Sequence, residues 1–326
     1  MKQKIAILAG GDSGEFQVSV RSAKSVADFI DKEKYEVYSI LMQGKEWYCI
    51  QNEIKYPVNK NDFSILIDTD VIYFDAAFII IHGTPGEDGK LQGYLEMLKI
   101  PYTSCNSITS ALTFNKYFCN GFVKNFGINI APSVWIKKSD SIDEKTILAI
   151  TGLPCFVKPN CGGSSVGMTK VNLNSELKTA LDIAFKEDPE VLIEAFNKGR
   201  EITCGVVQIK GEIIALPLCE VKSKKEYFDF EAKYNELLAD EIVPAVITEA
   251  ETQTCTQLSK ELYKKLNCFG VVRFDYIMDE QGIFNFLEVN TVPGMSAESI
   301  VPKMVKAHGW TLSQFYGLLI EEALNR

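Results

Sequence analysis

The feature that most restricts the fold is the alternation in the first third of the chain between short apolar runs and amphipathic helical ones. KIAILAG (4–10) reads as a buried strand and VSVRSAKSVADFI (18–30) as a helix. YEVYSILM (35–42) and AAFIII (76–81) read as further strands, and DGKLQGYLEMLKI carries Leu91, Leu95 and Leu98 at helical spacing. Strands joined through helices make an open α/β layer of parallel type. Its expected end is near Cys105, after the short strand IPYTS. Two glycine-rich turns, AGGDSGEF (9–16) and IHGTPGEDG (81–89), fall at strand ends, where such sheets place ligands.

A second unit is expected over 106–198. ITSALTFNKYFCNGFVKNF reads as one helix ending at Gly127, and APSVWI as a strand. Ser141 and Glu144 form a capping-box signature for a short helix that stops at Gly152. LPCFVKP and MTKV read as strands joined by a glycine-rich loop, followed by a helix around Leu177, Leu181 and Ala184 and the strand VLIEAF. The third unit, 199–326, holds strands EITCGVVQI, EIIALPLCEV, CFGVVRFDYIM and IFNFLEVN, with helices over 248–266, 296–307 and 311–324. Between its second and third strands, the charged, aromatic-bearing stretch 222–243 has little strand periodicity. A loop of that length in a compact unit reads as a lid or binding loop.

Composition narrows the partners. A net charge of −9 over 326 residues argues against nucleic acid as a main partner, although a local basic pocket for a nucleotide stays open. Nine cysteines, an odd number with no CxxC pair, read as reduced cytoplasmic thiols packed as small apolar groups. With two histidines and no close Cys/His cluster, a zinc site is not expected. No run reaches the ~20 apolar residues of a membrane helix, so no membrane partner is expected, and the opening MKQKIAILAGG reads as a first core strand rather than a signal peptide.

The chemistry gathers in two strands of the third unit. In VVRFDYIM, Arg273 and Asp275 share a face; in FNFLEVN, Glu288 and Asn290 do. Pairing these strands through DEQG would bring Asp275, Glu288 and Asn290 together beside Arg273. Such oxygens suit a hard cation like Mg²⁺, and the same residues would serve a plain salt-bridge network; the pattern alone admits both. Lys158, ending an apolar strand, needs an anion, and the turn NCGGSSVGM after it can offer backbone N–H groups to phosphate. Lys116 on the preceding helix is a second candidate for that anion, or a solvated lysine. His82 reads as structural or as a site residue, and Glu15 as a favourable first-turn charge. A nicotinamide-dependent oxidoreductase rests on the first glycine turn alone, whose spacing is not G-x-G-x-x-G, and it leaves Asp275, Glu288 and Asn290 unexplained.

Taken in order, GGDSGEFQVS, HGTPGEDG, FNK, VKP with GGSSVGM, EAFNKGREIT, EAKY, RFDY and LEVNTVPGMS resemble the D-alanine–D-alanine ligase family of the ATP-grasp superfamily, from residue 10 to about 300. The resemblance implies an α/β chain, α+β in its nucleotide-binding part, with a preATP-grasp N-terminal domain (1–105), a central ATP-grasp subdomain (106–198) and a C-terminal one (199–326) bearing the lid 222–243. It implies that Lys116, Lys158 and Lys233 meet ATP phosphates while Glu194, Phe196 and Glu201 line the adenosine site. Asp275, Glu288 and Asn290 would bind two Mg²⁺ ions, or Mn²⁺ in their place. Arg273 and the Gly294 backbone would stabilise the oxyanion. Glu15, with His82 nearby, would orient the first D-alanine and Ser299 would hold the second, with Ser164 and Tyr234 linking to Glu15 on lid closure. The implied reaction joins two D-alanine molecules through a D-alanyl phosphate for peptidoglycan synthesis, in a cytoplasmic homodimer. A D-alanine–D-lactate ligase is the sibling alternative; Tyr234 in EAKY favours the dipeptide. Two departures, NTVPGMS in the turn and NCGG before the serine pair, touch no catalytic residue type.

Overall fold

A computed structural model describes residues 2–223 and 239–326, so Lys233 and Tyr234, and most of the expected lid 222–243, lie outside the described residues. Among the described residues the strands form three sheets. In the first, Gln3–Gly10 lies between Tyr35–Gln43 and Ala76–Ile79, parallel to both. Ile5, Ala6, Ile7 and Leu8 have no exposed surface, as a strand covered on both faces requires. The segment between, left unassigned by sequence, adds the antiparallel strands Glu46–Gln51, Ile54–Asn59, Ser64–Ile67 and Asp70–Ile72. Its strands expose Ile54, Leu66 and Val71, so the apolar pattern that marks a doubly covered strand is lost there.

The second sheet orders Thr169–Val171, Cys155–Pro159, Glu190–Ala195 and Ser133–Lys137, all antiparallel. Leu177, Ala180, Leu181 and Ala184, one stripe of the Leu177–Glu187 helix, pack on its inner residues Cys155, Val157, Val191 and Ile193. The third sheet centres on Arg200–Ile209, Val271–Met278 and Phe284–Asn290. Ile202, Cys204, Phe274, Tyr276 and Phe286 form a core with the Glu249–Lys265 helix. That core also takes in Cys119 and Val123, and the short strand Asn129–Ile130 joins the same sheet. A further core runs from Ile5, Ile7 and Phe78 of the first sheet to Phe315, Tyr316 and Leu319 of the last helix.

Four local expectations need correction. The helix expected over 108–126 is two, Ser107–Phe114 and Lys116–Lys124. They break at Asn115, whose backbone is extended (φ −85°, ψ 103°) and whose side chain accepts from Phe118 N at 3.0 Å. This cap supplies a start without any glycine or proline to announce it. The Glu144–Thr151 helix is capped by Asp143, which accepts from Lys145 N and Thr146 N, not by Ser141. EIIALPLCEV divides into Glu212–Ala215 and Cys219–Ser223. The helix expected from 296 begins at Ile300, with Ser299 as its extended N-cap and Pro302 in its first turn, where proline is tolerated. All nine cysteines are free, and among the described residues no helix is long and apolar enough to cross a membrane.

Candidate active site

Antiparallel register places Asp275 opposite Glu288 and Arg273 opposite Asn290, so all four share one face of the third sheet. Phe274 and Val289 turn the other way into the core. An irregularity after Asp275 sets Tyr276 against Phe286 and leaves Leu287 as the extra residue. Asp275, 3% exposed, is gripped by Arg273 at 2.8 and 2.7 Å and by the hydroxyl of Thr203 on the neighbouring strand. Burial works against the Arg273 charge, but the Asp275 carboxylate outweighs it and raises the pKa. The salt bridge left open by the sequence is therefore present for Asp275. Glu288 has a different partner, Lys116 Nζ at 3.7 Å.

Lys116 is the first residue of its helix because Asn115 caps there, and its N–H donates to Asn160 O at 3.1 Å. Its Nζ donates to Gly162 O at 2.6 Å, inside the glycine-rich loop. Lys158 meets Glu194 at 2.5 Å on the adjacent antiparallel strand, and Asn120 Nδ2 donates to the other Glu194 oxygen at 3.0 Å. Both members of this pair are 7% exposed. The anion that a buried lysine requires is here a carboxylate of the chain itself. A cavity of about 640 Å³ lies between the second and third sheets, and Lys116, Lys158, Ser164, Glu194, Phe196, Glu201 and Glu288 line it.

Above the lysines, the Ser164 hydroxyl donates to Glu15 Oε1. Glu15 immediately precedes the Phe16–Phe29 helix. A Cβ on Gly163 would stand 2.6 Å from Glu15 Oε2, so a larger residue there would push the Glu15 carboxylate from its present place. Ser164 and Ser165 have φ of +50° and +58°, left-handed values that non-glycine residues seldom adopt.

His82, Gly294 and Ser299 lie toward the first sheet. His82 is 4% exposed, and its Nδ1 lies 2.8 Å from Val292 O. A carbonyl can only accept, so Nδ1 carries the proton; Nε2 is then an acceptor, with no hydrogen-bond partner among the described residues. Burial holds the His82 pKa below its ordinary value, against the pull of Glu15. The Ser299 and Ser296 hydroxyls are 2.6 Å apart, and a Cβ on Gly294 would meet Ser299 Oγ at 2.9 Å.

Sequence reasoning missed Asn120, Thr203 and Glu87. Glu87 is 8% exposed, and burial pushes its pKa to about 8, with Glu15 adding and the Gly83 and Val292 amides opposing. Its place in HGTPGEDG was a signal, but its partner Val292 is 205 residues away. Asp275, Glu288 and Asn290 supply two carboxylates and an amide, and among the described residues no cluster of three His, Cys, Asp or Glu could enclose a metal. Those donors fit a hard divalent cation that keeps water or phosphate as its other ligands, and do not fit an all-protein cage.

Comparison with known proteins supplies the remaining finding. The D-ala D-ala ligase N-terminus family matches residues 4–105, and the D-ala D-ala ligase C-terminus family matches 122–321. A D-alanine–D-alanine ligase of Bacteroides fragilis is 45% identical over 322 residues, 98% of this chain and 99% of that protein. Among solved structures, a D-Ala:D-Ser ligase from Enterococcus faecalis is 32% identical with a TM-score of 0.86, covering 99% of this chain and 100% of the other. A D-alanine–D-alanine ligase from Bacillus anthracis, complexed with ATP, is 29% identical with a TM-score of 0.78, covering 99% and 97%.

Proposed function

This chain belongs to the D-alanine–D-alanine ligase family, with the ATP-grasp fold, and on that premise we propose how its cavity joins two D-alanine molecules at the expense of ATP. The observation that carries the reading is the convergence, in one cavity, of Lys116, Lys158 and Glu288 beneath the Glu15–Ser164 bridge. A carboxylate is a poor acyl donor, so the first D-alanine takes the γ-phosphoryl group and becomes D-alanyl phosphate. Lys116 and Lys158 offset the charge of the phosphates, while Phe196, Glu194 and Glu201 bound the adenosine end. Glu15, fixed by Ser164, receives the ammonium of the first D-alanine beside His82. Ser299 receives the carboxylate of the second D-alanine, whose amine attacks the acyl phosphate and expels phosphate. Arg273 and the Gly294 backbone face the oxyanion that forms.

Asp275, Glu288 and Asn290 would hold Mg²⁺, two ions in all, or Mn²⁺. When bound, the ions supply charge stabilisation for the transferring phosphoryl group. Lys233 and Tyr234 belong to the same proposal as γ-phosphate and Ser164 partners carried by the lid. The division at 105 and 198, a homodimer through the first unit and a cytoplasmic location complete it, supported by family resemblance.

The test is ADP release and product identity with purified protein, ATP, Mg²⁺ and D-alanine, then with D-serine or D-lactate as competitors. D-Alanyl-D-alanine is expected as the main product. Absence of D-alanine-dependent ADP release would overturn the reading, and a predominant mixed product would move the specificity to the competitor.

A further inference from the structure

Val292 sits in the turn that leaves the Phe284–Asn290 strand, midway between Asn290 and Gly294, and is 2% exposed. Both polar groups of its backbone meet one loop of the first sheet, the N–H being shared with Asn290 of the same turn. Its carbonyl accepts from His82 Nδ1 at 2.8 Å, and its N–H points to Glu87 Oε1 at 3.4 Å. The same N–H lies 3.1 Å from Asn290 Oδ1. The second Glu87 oxygen accepts from Gly83 N at 2.7 Å, and Gly83 follows His82 directly. Gly83 has φ +70° and would place a Cβ 2.8 Å from Ser13 Cβ, so the loop that presents both side chains is built around a glycine. Glu87, His82 and the Val292 peptide thus form a closed set of contacts joining residues 82–87 to a turn more than 200 positions later.

Burying a polar carboxyl group, charged or neutral, costs free energy unless its oxygens are bonded, and nothing in the ligation chemistry proposed above requires one at position 87. A leucine would fill the same space without that cost. We propose that Glu87 is a positioning residue for ligation: with His82 it clamps the Val292 peptide and thereby fixes Asn290 at one end of the turn and the Gly294 backbone at the other. The proposal rests on the ligase reading for the roles of Asn290 and Gly294. Glu87 touches no substrate in this scheme and acts through the turn. Displacements of about 1 Å in such a turn are enough to lower turnover strongly, because catalysis depends on near-attack geometry. Its effect belongs to kcat, because Lys116, Lys158, Phe196 and Glu201 lie in the ATP cavity and Glu87 does not.

The experiment compares the full chain with Glu87→Ala, Glu87→Gln, His82→Ala and the His82→Ala/Glu87→Ala double variant. Steady-state kinetics are combined with hydrogen exchange of a peptide spanning 288–295. Glu87→Ala is expected to lower kcat about ten- to a hundredfold, with KM for ATP within about twofold, and to speed exchange in 288–295 while exchange elsewhere is unchanged. The double variant is expected to be little worse than the worse single one, because both act on one peptide. Glu87→Gln keeps one carbonyl acceptor for two amides and is expected to lose at least about fivefold in kcat. It decides the question if the alanine variant does not fold. Wild-type kcat in a folded Glu87 variant, a loss with unchanged exchange at 288–295, or multiplicative losses in the double variant would each overturn the clamp. If the unmutated chain releases no ADP on adding D-alanine, the ligase reading fails instead, and exchange alone then judges the clamp.

Discussion

Ser164 donates its hydroxyl proton to Glu15 across 149 residues of chain, closing the glycine-rich loop of the second sheet onto the start of the first helix. A side chain at 163 would press on the Glu15 carboxylate, and Ser164 and Ser165 take left-handed backbone angles in making the contact. Such conformations cost about 1–3 kcal/mol each in non-glycine residues and persist where surrounding contacts over-determine them. Asn115, by breaking a helix, performs a comparable service for Lys116 on the opposite wall. The cavity is bounded by departures from regular structure, and the sheets behind it supply rigidity.

Ser164→Ala should weaken the hold on the first D-alanine. Losing a hydrogen bond to a charged group costs about 1.5–3 kcal/mol, and each 1.4 kcal/mol is tenfold. Catalytic efficiency toward D-alanine is therefore expected to fall about ten- to a hundredfold, with ATP affinity little changed. Titrating D-alanine and ATP separately measures both; an unchanged KM for D-alanine would remove Ser164 from substrate binding.

Glu194→Ala should destabilise the fold as well as nucleotide binding. It leaves Lys158 without its carboxylate and Asn120 without its acceptor, both buried. Removing one member of a buried pair costs about 3–5 kcal/mol, whereas replacing both by apolar residues is often near neutral. Urea unfolding of Glu194→Ala and of Lys158→Met/Glu194→Leu is the check. The double variant is expected to be the more stable, and the reverse order would mean that the pair is not an isolated buried one.

His82 gives a pH dependence with a fixed sign. Its folded pKa lies below the ordinary 6.5, so the unfolded chain takes up a proton first as pH falls. The stability linked to neutral His82 is complete above about 6.5 and is lost progressively below it. His82→Asn lacks this component, so its deficit relative to the unmutated chain should shrink between pH 7.5 and 5.5. A deficit that stays constant with pH would show that His82 titrates alike in the folded and unfolded chains, and one that grows as pH falls would show that His82 is protonated in the fold.

Much of the site was legible because a strand repeats every two residues. That period alone put Arg273 and Asp275 on one face of their strand and Glu288 and Asn290 on one face of theirs, and the observed register makes these the same face of the sheet. Lys158 was legible as a cation out of place in an apolar strand. Glu15 and Ser164 came together only through family resemblance, since nothing in either neighbourhood specifies a partner 149 residues away. The clamp on Val292 was invisible for the same reason. The break at Asn115 was missed because its sequence surroundings are uniformly helical, and a side-chain cap decides the matter by one hydrogen bond. The strands from 46 to 72 were missed because one face is solvated and the apolar runs are short.

Glu288→Gln separates the metal reading from the salt-bridge one. In the structure Glu288 is 29% exposed and pairs with Lys116 at 3.7 Å, while Arg273 bonds Asp275 through Nε and Nη2. If the Lys116 contact were its whole purpose, the substitution would cost what a partly exposed pair contributes, about 0–1 kcal/mol, and turnover would change by a few-fold at most. If Glu288 also holds Mg²⁺ with Asp275 and Asn290, removing its charge weakens the cation that stabilises the transferring phosphoryl group. Ligation should then fall by about a hundredfold or more, at two orders of magnitude per 2.7 kcal/mol, while thermal stability barely moves. The two outcomes differ enough to be read from kcat at ordinary Mg²⁺ and from one unfolding curve. Partial recovery of activity at raised Mg²⁺ would strengthen the assignment, because a weakened site fills again by mass action. Near-normal turnover at ordinary Mg²⁺, with the fold intact, would leave Glu288 as a partner of Lys116 and nothing more.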